Sequence, residues 1–192
     1  MSAYKTIETT NLATIETIRR PADSHKHLDM CSSAMEIFTD FNLQQPLMLE
    51  STVSIKYAEE LMKKAHVHLK LVIDKDEHFR GVISLADLLS IKVTKAMDTT
   101  GLKREELTVA DVMTHKDALQ AVEFEKFSHA KIGDLVATMQ RFGEQHLLVV
   151  ETGENSIRGI VSSSDIARRL HVSVYISERA NTFSDIYKAV HA

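Results

Sequence analysis

The stretch Phe79-Arg80-Gly81-Val82-Ile83-Ser84-Leu85-Ala86-Asp87 occurs a second time as Ile157-Arg158-Gly159-Ile160-Val161-Ser162-Ser163-Ser164-Asp165. The Gly, Ser and Asp of the two copies are each separated by 78 residues. Self-similarity at a fixed spacing is typical of an internal repeat, in which each copy forms one structural unit. The chain is therefore predicted to contain two copies of one unit.

The residues immediately upstream repeat as well. Leu69-Lys70-Leu71-Val72-Ile73-Asp74 corresponds to His146-Leu147-Leu148-Val149-Val150-Glu151, with one more residue in the second turn than in the first. Apolar runs of this length, followed by short polar turns at 75–78 and 152–156, predict two strands joined as a hairpin in each copy.

A helix is predicted before each hairpin, because apolar residues recur there at helical spacing. The apolar faces consist of Ile55, Ala58, Leu61, Met62 and Ala65 in the first copy and Ile132, Leu135, Val136, Met139 and Phe142 in the second. Short apolar strands at 46–49 and 121–124 precede these helices. Each copy is thus predicted to fold as a βαββα unit.

Neither unit is large enough to be stable alone, so the two are expected to bury their sheets against each other. The predicted fold class is α+β, with a sandwich-like module of pseudo-twofold symmetry. The predicted segments are an N-terminal tail at 1–33, repeats at 34–92 and 108–170, a polar linker at 93–107 and a C-terminal helical extension at 171–192. The extension carries Phe183, Ile186, Tyr187 and Val190 at helical spacing.

Composition excludes several classes of function. A formal net charge of −4 disfavours nucleic acid, whose phosphates require a basic surface. Cys31 is the only cysteine, which rules out an intrachain disulfide and fits a reducing compartment. No apolar run approaches the roughly 18 residues of a membrane span, and the N-terminus has no apolar core of the signal-peptide type. A cytoplasmic location without membrane contact is expected.

The repeated stretch places Gly, Ser and Asp where a strand ends and a helix begins. Glycine allows a backbone or a ligand to approach closely, and the first turn of a helix attracts phosphate. A carboxylate there can accept hydrogen bonds from a ribose diol. The alternative is purely structural, because Ser84-x-x-Asp87 and Ser162-x-x-Asp165 also fit capping boxes that start helices.

Residues 34 to 170 resemble the CBS (cystathionine-β-synthase) domain pair. The resemblance rests on Val112-Met113-Thr114, on His146-Leu147-Leu148-Val149-Val150-Glu151 and on both Gly-to-Asp stretches. The chain departs from the family pattern at Phe38, which stands where Met is usual, and at Leu71 and Leu148, which stand where Pro is usual.

The resemblance implies two clefts between the repeats that accept AMP, ADP, ATP or another adenosyl compound. By position, Asp87 and Asp165 would hold ribose hydroxyls, and Ser84 and Ser162 would contact ribose or phosphate. Gly81 and Gly159 would leave room, and Thr39 and Thr114 would border the clefts. A homodimer is the implied assembly.

Other conspicuous residues give weaker indications. His25-Lys26-His27 and His66-Val67-His68 are not metal sites by spacing, so no metal is predicted. Arg80 and Arg158 are expected to face solvent or an interface, with phosphate contact as the alternative. Lys70 is expected to be exposed at a strand edge, again with phosphate contact as the alternative.

The leading hypothesis is a regulatory sensor that binds an adenine nucleotide, catalyses nothing and acts on another, unidentified polypeptide. No nucleophile with its base and no Gly-rich phosphate loop is recognisable. The alternatives are a scaffold or dimerisation module without ligand, and an enzyme that acts on a nucleotide. The Asp165 cleft is expected to be the stronger site, because the second copy has the hydroxyls of Ser163 and Ser164 where the first has Leu85 and Ala86, and because only the second copy brings guanidinium groups nearby, those of Arg168 and Arg169.

Overall fold

The computed structural model describes residues 28–171, together with the isolated positions 9, 13 and 17. The predicted N-terminal tail therefore lies outside the described residues up to position 27, apart from those three positions. The predicted C-terminal helix with Phe183, Ile186, Tyr187 and Val190 lies wholly outside them.

Each copy consists of short strands and helices in the predicted order. The first copy contains β1 (Thr39–Asp40), β2 (Met48–Glu50), α1 (Ile55–Lys64), β3 (Leu69–Ile73), β4 (Phe79–Ser84), α2 (Leu85–Leu88) and α3 (Ile91–Thr100). The second contains α4 (Val109–Val112), β5 (Thr114–His115), β6 (Ala121–Glu123), α5 (Phe124–Ser128), α6 (Ile132–Phe142), β7 (His146–Glu151), β8 (Ser156–Ser162) and α7 (Ser163–Leu170). Two 3₁₀ turns, Ala34–Ile37 and Lys116–Ala118, complete the elements.

The strands form two four-stranded sheets of the same design, with the orders β2-β3-β4-β5 and β6-β7-β8-β1. The predicted hairpins β3–β4 and β7–β8 are antiparallel, and both have a register shift, after Val72 and after Val149. Gly81 lies opposite Val72 and Gly159 lies opposite Val149. The predicted α+β fold of tandem repeats is confirmed, and the two repeated glycines occupy equivalent places in it.

The leading segments of the two copies are exchanged between the sheets. β1 of the first copy pairs with β8 of the second, whereas β5 of the second copy pairs with β4 of the first. The same exchange continues upstream, where the Ala34 amide donates to the Ala130 carbonyl at 2.9 Å and the Val109 amide donates to the Val53 carbonyl at 2.8 Å. Each sheet is therefore completed by the other copy, which ties the two units together.

Close approach of backbone is the reason for the repeated glycines in this fold. A Cβ on Gly81 would overlap the carbonyl oxygen of Thr114 in β5. A Cβ on Gly159 would overlap the carbonyl oxygen of Thr39 in β1 and the ring of Phe38. Both glycines therefore make room for the exchanged strand, one of the two uses that the sequence left open.

The helices cover the outer faces of the sheets, as their apolar spacing predicts. Ser54 begins α1 by accepting the Tyr57 amide at 3.3 Å, and Ile55, Ala58 and Met62 are buried beneath it. In α6 the buried residues are Ile132, Leu135, Val136 and Met139. The predicted face extends too far in the first copy, since Ala65 is exposed.

A cluster of apolar residues joins the inner faces of the two sheets. Leu71 and Val82 of the first copy and Leu148 of the second are buried there. They are surrounded by Phe41, Leu69, Phe79, Leu119, Ile157 and Ile160. Burial between sheets is what the small size of each unit predicts, because neither copy has a sufficient core alone.

The segment interpreted as a polar linker, 93–107, is partly helical. α3 runs through its first part to Gly101, which has the left-handed conformation, and Val93 and Ala96 of α3 are buried. Arg104 then fixes the remainder by donating to Glu59 at 3.0 Å and to the Leu88 carbonyl at 3.2 Å. The boundary expected at residue 92 therefore falls inside a helix.

Lys70 is buried, not exposed at a strand edge as the sequence suggested. Its β3 strand lies between β2 and β4, so the side chain is covered on both sides. The ammonium group reaches only the Met48 carbonyl, at 3.4 Å. Burial lowers the pKa of Lys70 below its usual value.

Arg158 holds the exchanged strand β1 on β8. Its guanidinium donates to both carboxylate oxygens of Asp40, at 2.9 and 3.1 Å, and to Glu151 at 3.3 Å. It also stacks 4.4 Å from the centre of the Phe124 ring. Arg158 thus joins the two copies, whereas the corresponding Arg80 is half-exposed and lies 4.0 Å from Asp74.

We expect Asp40→Asn to lower the free energy of unfolding by about 2 kcal/mol at pH 7, since it removes a charged, two-point hydrogen bond. The hydrogen bond from Arg158 lowers the pKa of Asp40. The stabilisation is therefore complete above the unfolded pKa of about 3.9 and is lost as the pH falls through the lower folded value. Urea unfolding from pH 7 to pH 3 should show the difference from wild type shrinking below about pH 4. The exposed Asp98→Asn serves as the control, and an equal loss in both variants would contradict the assignment.

None of the helices in residues 28–171 has the length and apolar character needed to cross a bilayer.

Candidate functional site

A cleft of about 470 Å³ lies between the two copies, where the carboxyl end of β4 faces the start of β7. The first copy lines it with His68, Leu69, Val82, Ser84, Ala86, Asp87 and Lys92. The second copy lines it with Thr114, Ala118, Leu119, Gln120, Gly143, Glu144, Gln145, His146, Leu148, Ile160, Ser163 and Ser164. Its walls are apolar towards the centre of the module and polar at the helix starts, a combination found in sites for small organic ligands.

Asp87 and Ser84 form the capping box that the sequence offered as the structural alternative. The Ser84 amide and hydroxyl donate to Oδ2 of Asp87 at 2.9 and 2.7 Å, and the Asp87 amide donates to Oγ of Ser84 at 3.0 Å. These bonds hold the carboxylate at the edge of the cleft, where 15% of its side chain is exposed. Capping therefore fixes the group that a ribose would contact, so the two interpretations are compatible.

Lys92 connects Asp87 to the exchanged strand β5. Its ammonium lies 2.5 Å from Oδ1 of Asp87 and donates to Oγ1 of Thr114 at 2.9 Å. Ser90 caps the start of α3 by accepting the Lys92 amide at 3.1 Å, and its hydroxyl donates to the Asp87 carbonyl of α2 at 2.8 Å. A cation, a carboxylate and a hydroxyl thus meet in one corner of the cleft.

His146 lies half-buried in the cleft wall, at the start of β7. Burial is the main cause that lowers its pKa to about 4, and the nearby Asp165 and Asp87 carboxylates only partly oppose this. The imidazole is therefore uncharged at neutral pH. It can donate or accept a hydrogen bond but does not supply a positive charge.

The corresponding group in the second copy has other partners. Ser162 donates to Oδ2 of Asp165 at 2.8 Å, and Arg168 donates to its Oδ1 at 2.5 Å. Neither Ser162 nor Asp165 lines the described cleft, whereas Ser163 and Ser164 line it beside Asp87. The expectation of a stronger Asp165 site rested in part on the hydroxyl groups of Ser163 and Ser164. These hydroxyl groups lie in the cleft that contains Asp87.

Three of the predicted site residues, Ser84, Asp87 and Thr114, meet in the cleft. Gly81 and Gly159 lie under the exchanged strands instead, and Thr39 pairs with Ile160 in the second sheet. Asp87 and Thr114 lie in the same cleft because of the strand exchange, which places β5 of the second copy next to β4 of the first.

Sequence reasoning missed several residues of the cleft, including Lys92, Glu144 and His146. The repeat could not reveal Lys92, since the equivalent position in the second copy is Leu170. His146 was noted only as part of a family motif. Its role in the wall becomes visible when β7 is placed opposite β4.

One group of possible metal ligands occurs in the described part of the chain. Asp74, Asp76 and His78 lie within 4.8 Å of one another in the β3–β4 turn. Asp74 already accepts the amides of Asp76 and His78, both at 3.0 Å. These bonds lower the pKa of Asp74. They are hydrogen bonds of the kind that Asp side chains make in turns, which explains why the three residues lie together.

Comparison with known proteins agrees with the repeat architecture. The model of the CBS domain matches residues 38–93 and 127–172. A search of the curated proteins found no match. An uncharacterized conserved protein from Pyrococcus horikoshii has a similar structure, with a TM-score of 0.56 and 21% identity over 77% of this chain and 98% of that chain.

Two similar structures contain adenosyl ligands. The CBS-pair protein CBSX2 of Arabidopsis thaliana in complex with AMP has a TM-score of 0.53 and 20% identity, over 71% of this chain and 94% of that chain. The CBS domain pair of protein MJ0100, in complex with 5′-methylthioadenosine and S-adenosyl-L-methionine, has a TM-score of 0.51 and 19% identity over 72% and 94%. At these identities the similarity shows a shared fold.

Proposed function

Because the chain belongs to the CBS domain family, we propose that it is a non-catalytic regulatory module that binds an adenosine-containing nucleotide in the cleft between its repeats. The observation that carries this proposal is the meeting of Asp87, Thr114, Ser163 and Ser164 in one cleft of about 470 Å³. A cleft of that size accommodates a small organic ligand.

The chemistry of the cleft suits the parts of such a ligand. The Asp87 carboxylate is a suitable acceptor for the two ribose hydroxyls. Ser84, Thr114 and the first turn of α7, with Ser163 and Ser164, supply donors for phosphate. The apolar wall is a surface for the base, and it consists of Leu69, Val82, Leu148 and Ile160.

The remaining predicted residues enter the proposal in other ways. Gly81 and Gly159 support the site indirectly, by admitting the exchanged strands. Thr39, Ser162 and Asp165 would form the counterpart of this cleft on the other side of the pseudo-twofold axis. The neighbours bind AMP in one case and S-adenosyl-L-methionine with 5′-methylthioadenosine in the other, so the adenosyl group is what the proposal takes from them.

We expect AMP, ADP or ATP to raise the melting temperature of the chain. A ligand at about 100 times its dissociation constant stabilises a protein by about 2.7 kcal/mol, which corresponds to roughly 5 to 10 °C for a chain of this size. A thermal-shift panel of AMP, ADP, ATP, NAD, S-adenosylmethionine and cyclic dinucleotides measures this, with GMP and CMP as controls for the base. The proposal would be contradicted if no adenosyl compound raised the melting temperature, or if all nucleotides raised it equally.

A scaffold without ligand is the second candidate, because Asp87 is already paired. Ser84 and Lys92 together engage both of its carboxylate oxygens. Mass spectrometry of the supernatant after denaturation distinguishes the two functions. A co-purified adenosyl compound supports the sensor. The scaffold is supported if no such compound is found and no compound of the thermal-shift panel raises the melting temperature.

The assembly and setting that we propose are a homodimer in the cytoplasm that acts on a separate, unidentified protein. Exposed apolar side chains on the helical side of the first copy favour self-association, among them Tyr57, Leu89 and Ile91. The single free cysteine, Cys31, is consistent with a reducing compartment. Contacts with nucleic acid or membrane are not expected.

A further inference from the structure

Lys92 competes with any ligand for the atoms that a nucleoside would use. Its ammonium occupies Oδ1 of Asp87 at 2.5 Å and Oγ1 of Thr114 at 2.9 Å. A ribose hydroxyl that donates to Oδ1 must displace this ammonium or share the oxygen with it. Binding of an uncharged nucleoside would therefore weaken an existing ion pair without replacing it.

A phosphate changes this balance. When the ligand carries its own anion, the ammonium can turn from Asp87 to the phosphate and keep a charged partner. Among the residues that line the cleft, Lys92 is the only lysine or arginine; two histidines, His68 and His146, also line it, and burial keeps His146 uncharged at neutral pH.

We propose that Lys92 is the specificity-determining residue of this cleft, and that it selects a nucleoside monophosphate over the corresponding uncharged nucleoside. The inference rests on the proposed function, since it presupposes an adenosyl ligand at Asp87. It adds the chemical class of the ligand, because the ammonium that pairs with Asp87 keeps a charged partner only if the ligand that takes its place carries a phosphate.

The test is calorimetric titration of the full chain with AMP and with adenosine at pH 7. Wild type is expected to bind AMP at least about ten-fold more tightly than adenosine, as expected for one charged hydrogen bond. In Lys92→Met, AMP should lose at least that factor, while adenosine binds as well as before or better because Asp87 is free. The preference for the phosphate should therefore disappear.

Two control variants separate charge from structure. Lys95→Met removes an exposed lysine from the same helix, outside the cleft, and is expected to leave both affinities unchanged. Lys92→Arg keeps the positive charge and should keep AMP as the preferred ligand, although the different geometry of guanidinium weakens both affinities somewhat. Melting curves of all variants show whether each one is folded.

The outcomes distinguish this inference from the function on which it rests. Equal losses of AMP and adenosine in Lys92→Met, or a wild type that prefers adenosine, would overturn the role of Lys92 and leave the adenosyl site standing. A wild type that binds neither compound would overturn both. The inference would be established if Lys92→Met lost the preference for AMP while Lys95→Met and Lys92→Arg kept it.

Discussion

Gly159→Ala is expected to destabilise the fold by about 3 kcal/mol, because the new methyl group would overlap two groups that other contacts hold in place. One is the Thr39 carbonyl oxygen, which belongs to the exchanged strand β1, and the other is the Phe38 ring. Phe38 packs 4.8 Å from the ring centre of Phe127, which is itself fully buried. Relief of the overlap therefore requires β1 to leave β8.

Displacement of β1 has further consequences that make the expected loss large. Arg158 would lose its two hydrogen bonds to Asp40, which lies on the displaced strand. β8 would also become the edge of the second sheet in place of β1, and its backbone groups opposite Thr39 and Asp40 would lose their partners.

Urea unfolding of Gly159→Ala beside Gly153→Ala measures this effect. Gly153 lies in the β7–β8 turn, and a Cβ there would meet no atom within 4 Å. The turn variant should unfold within about 0.5 kcal/mol of wild type, as surface substitutions usually do. A similar midpoint for both variants would mean that the exchanged strand is not held against Gly159.

The elements of each repeat could be predicted from the sequence because their determinants are local. Apolar runs with short polar turns, and apolar residues at helical spacing, in residues 55–84 and 132–162 are enough to place the hairpins and the helices before them. The repeat also aligned residues whose equivalence the sheets confirm, such as Gly81 and Gly159.

The strand exchange could not be predicted in this way. β1 and β5 are only two residues long, and their pairing partners lie far away in the chain. A short polar strand carries no pattern that distinguishes its own sheet from the neighbouring one. The overlap that a Cβ would cause at each glycine becomes apparent only when the second strand is in place.

The candidate site was predictable only in part, for a related reason. Ser84, Asp87 and Thr114 belong to repeated motifs, and all three line the cleft. Lys92 is not repeated, and the importance of Ser163 and Ser164 for the Asp87 side follows from packing across the pseudo-twofold axis. The burial of Lys70 was missed because a single charged residue in an apolar strand gives no indication of what covers it.

Asp87→Asn is expected to weaken binding of AMP by at least about ten-fold. The amide keeps an oxygen that can cap α2, but it removes the charged acceptor for the ribose hydroxyls, and a hydrogen bond to a charged group contributes about 1.5 to 3 kcal/mol. Adenosine should lose affinity by a similar factor, since it presents the same ribose. This pattern differs from that of Lys92→Met, in which only AMP is weakened.

Asp111 provides a matched control for the structural role of Asp87. It caps α4 with the same geometry: the amide and the hydroxyl of Thr108 both donate to its Oδ2 at 2.8 Å. Asp111 is not among the residues that line the cleft. Asp111→Asn should therefore change helix capping in the same way as Asp87→Asn does, without affecting the ligand.

The most direct test of a nucleotide site at Asp87 is calorimetric titration of AMP into wild type, Asp87→Asn and Asp111→Asn under identical conditions. The account predicts indistinguishable dissociation constants for wild type and Asp111→Asn, and a value at least about ten-fold higher for Asp87→Asn. Binding of AMP to Asp87→Asn with the wild-type dissociation constant would contradict it, as would an equal loss in Asp111→Asn.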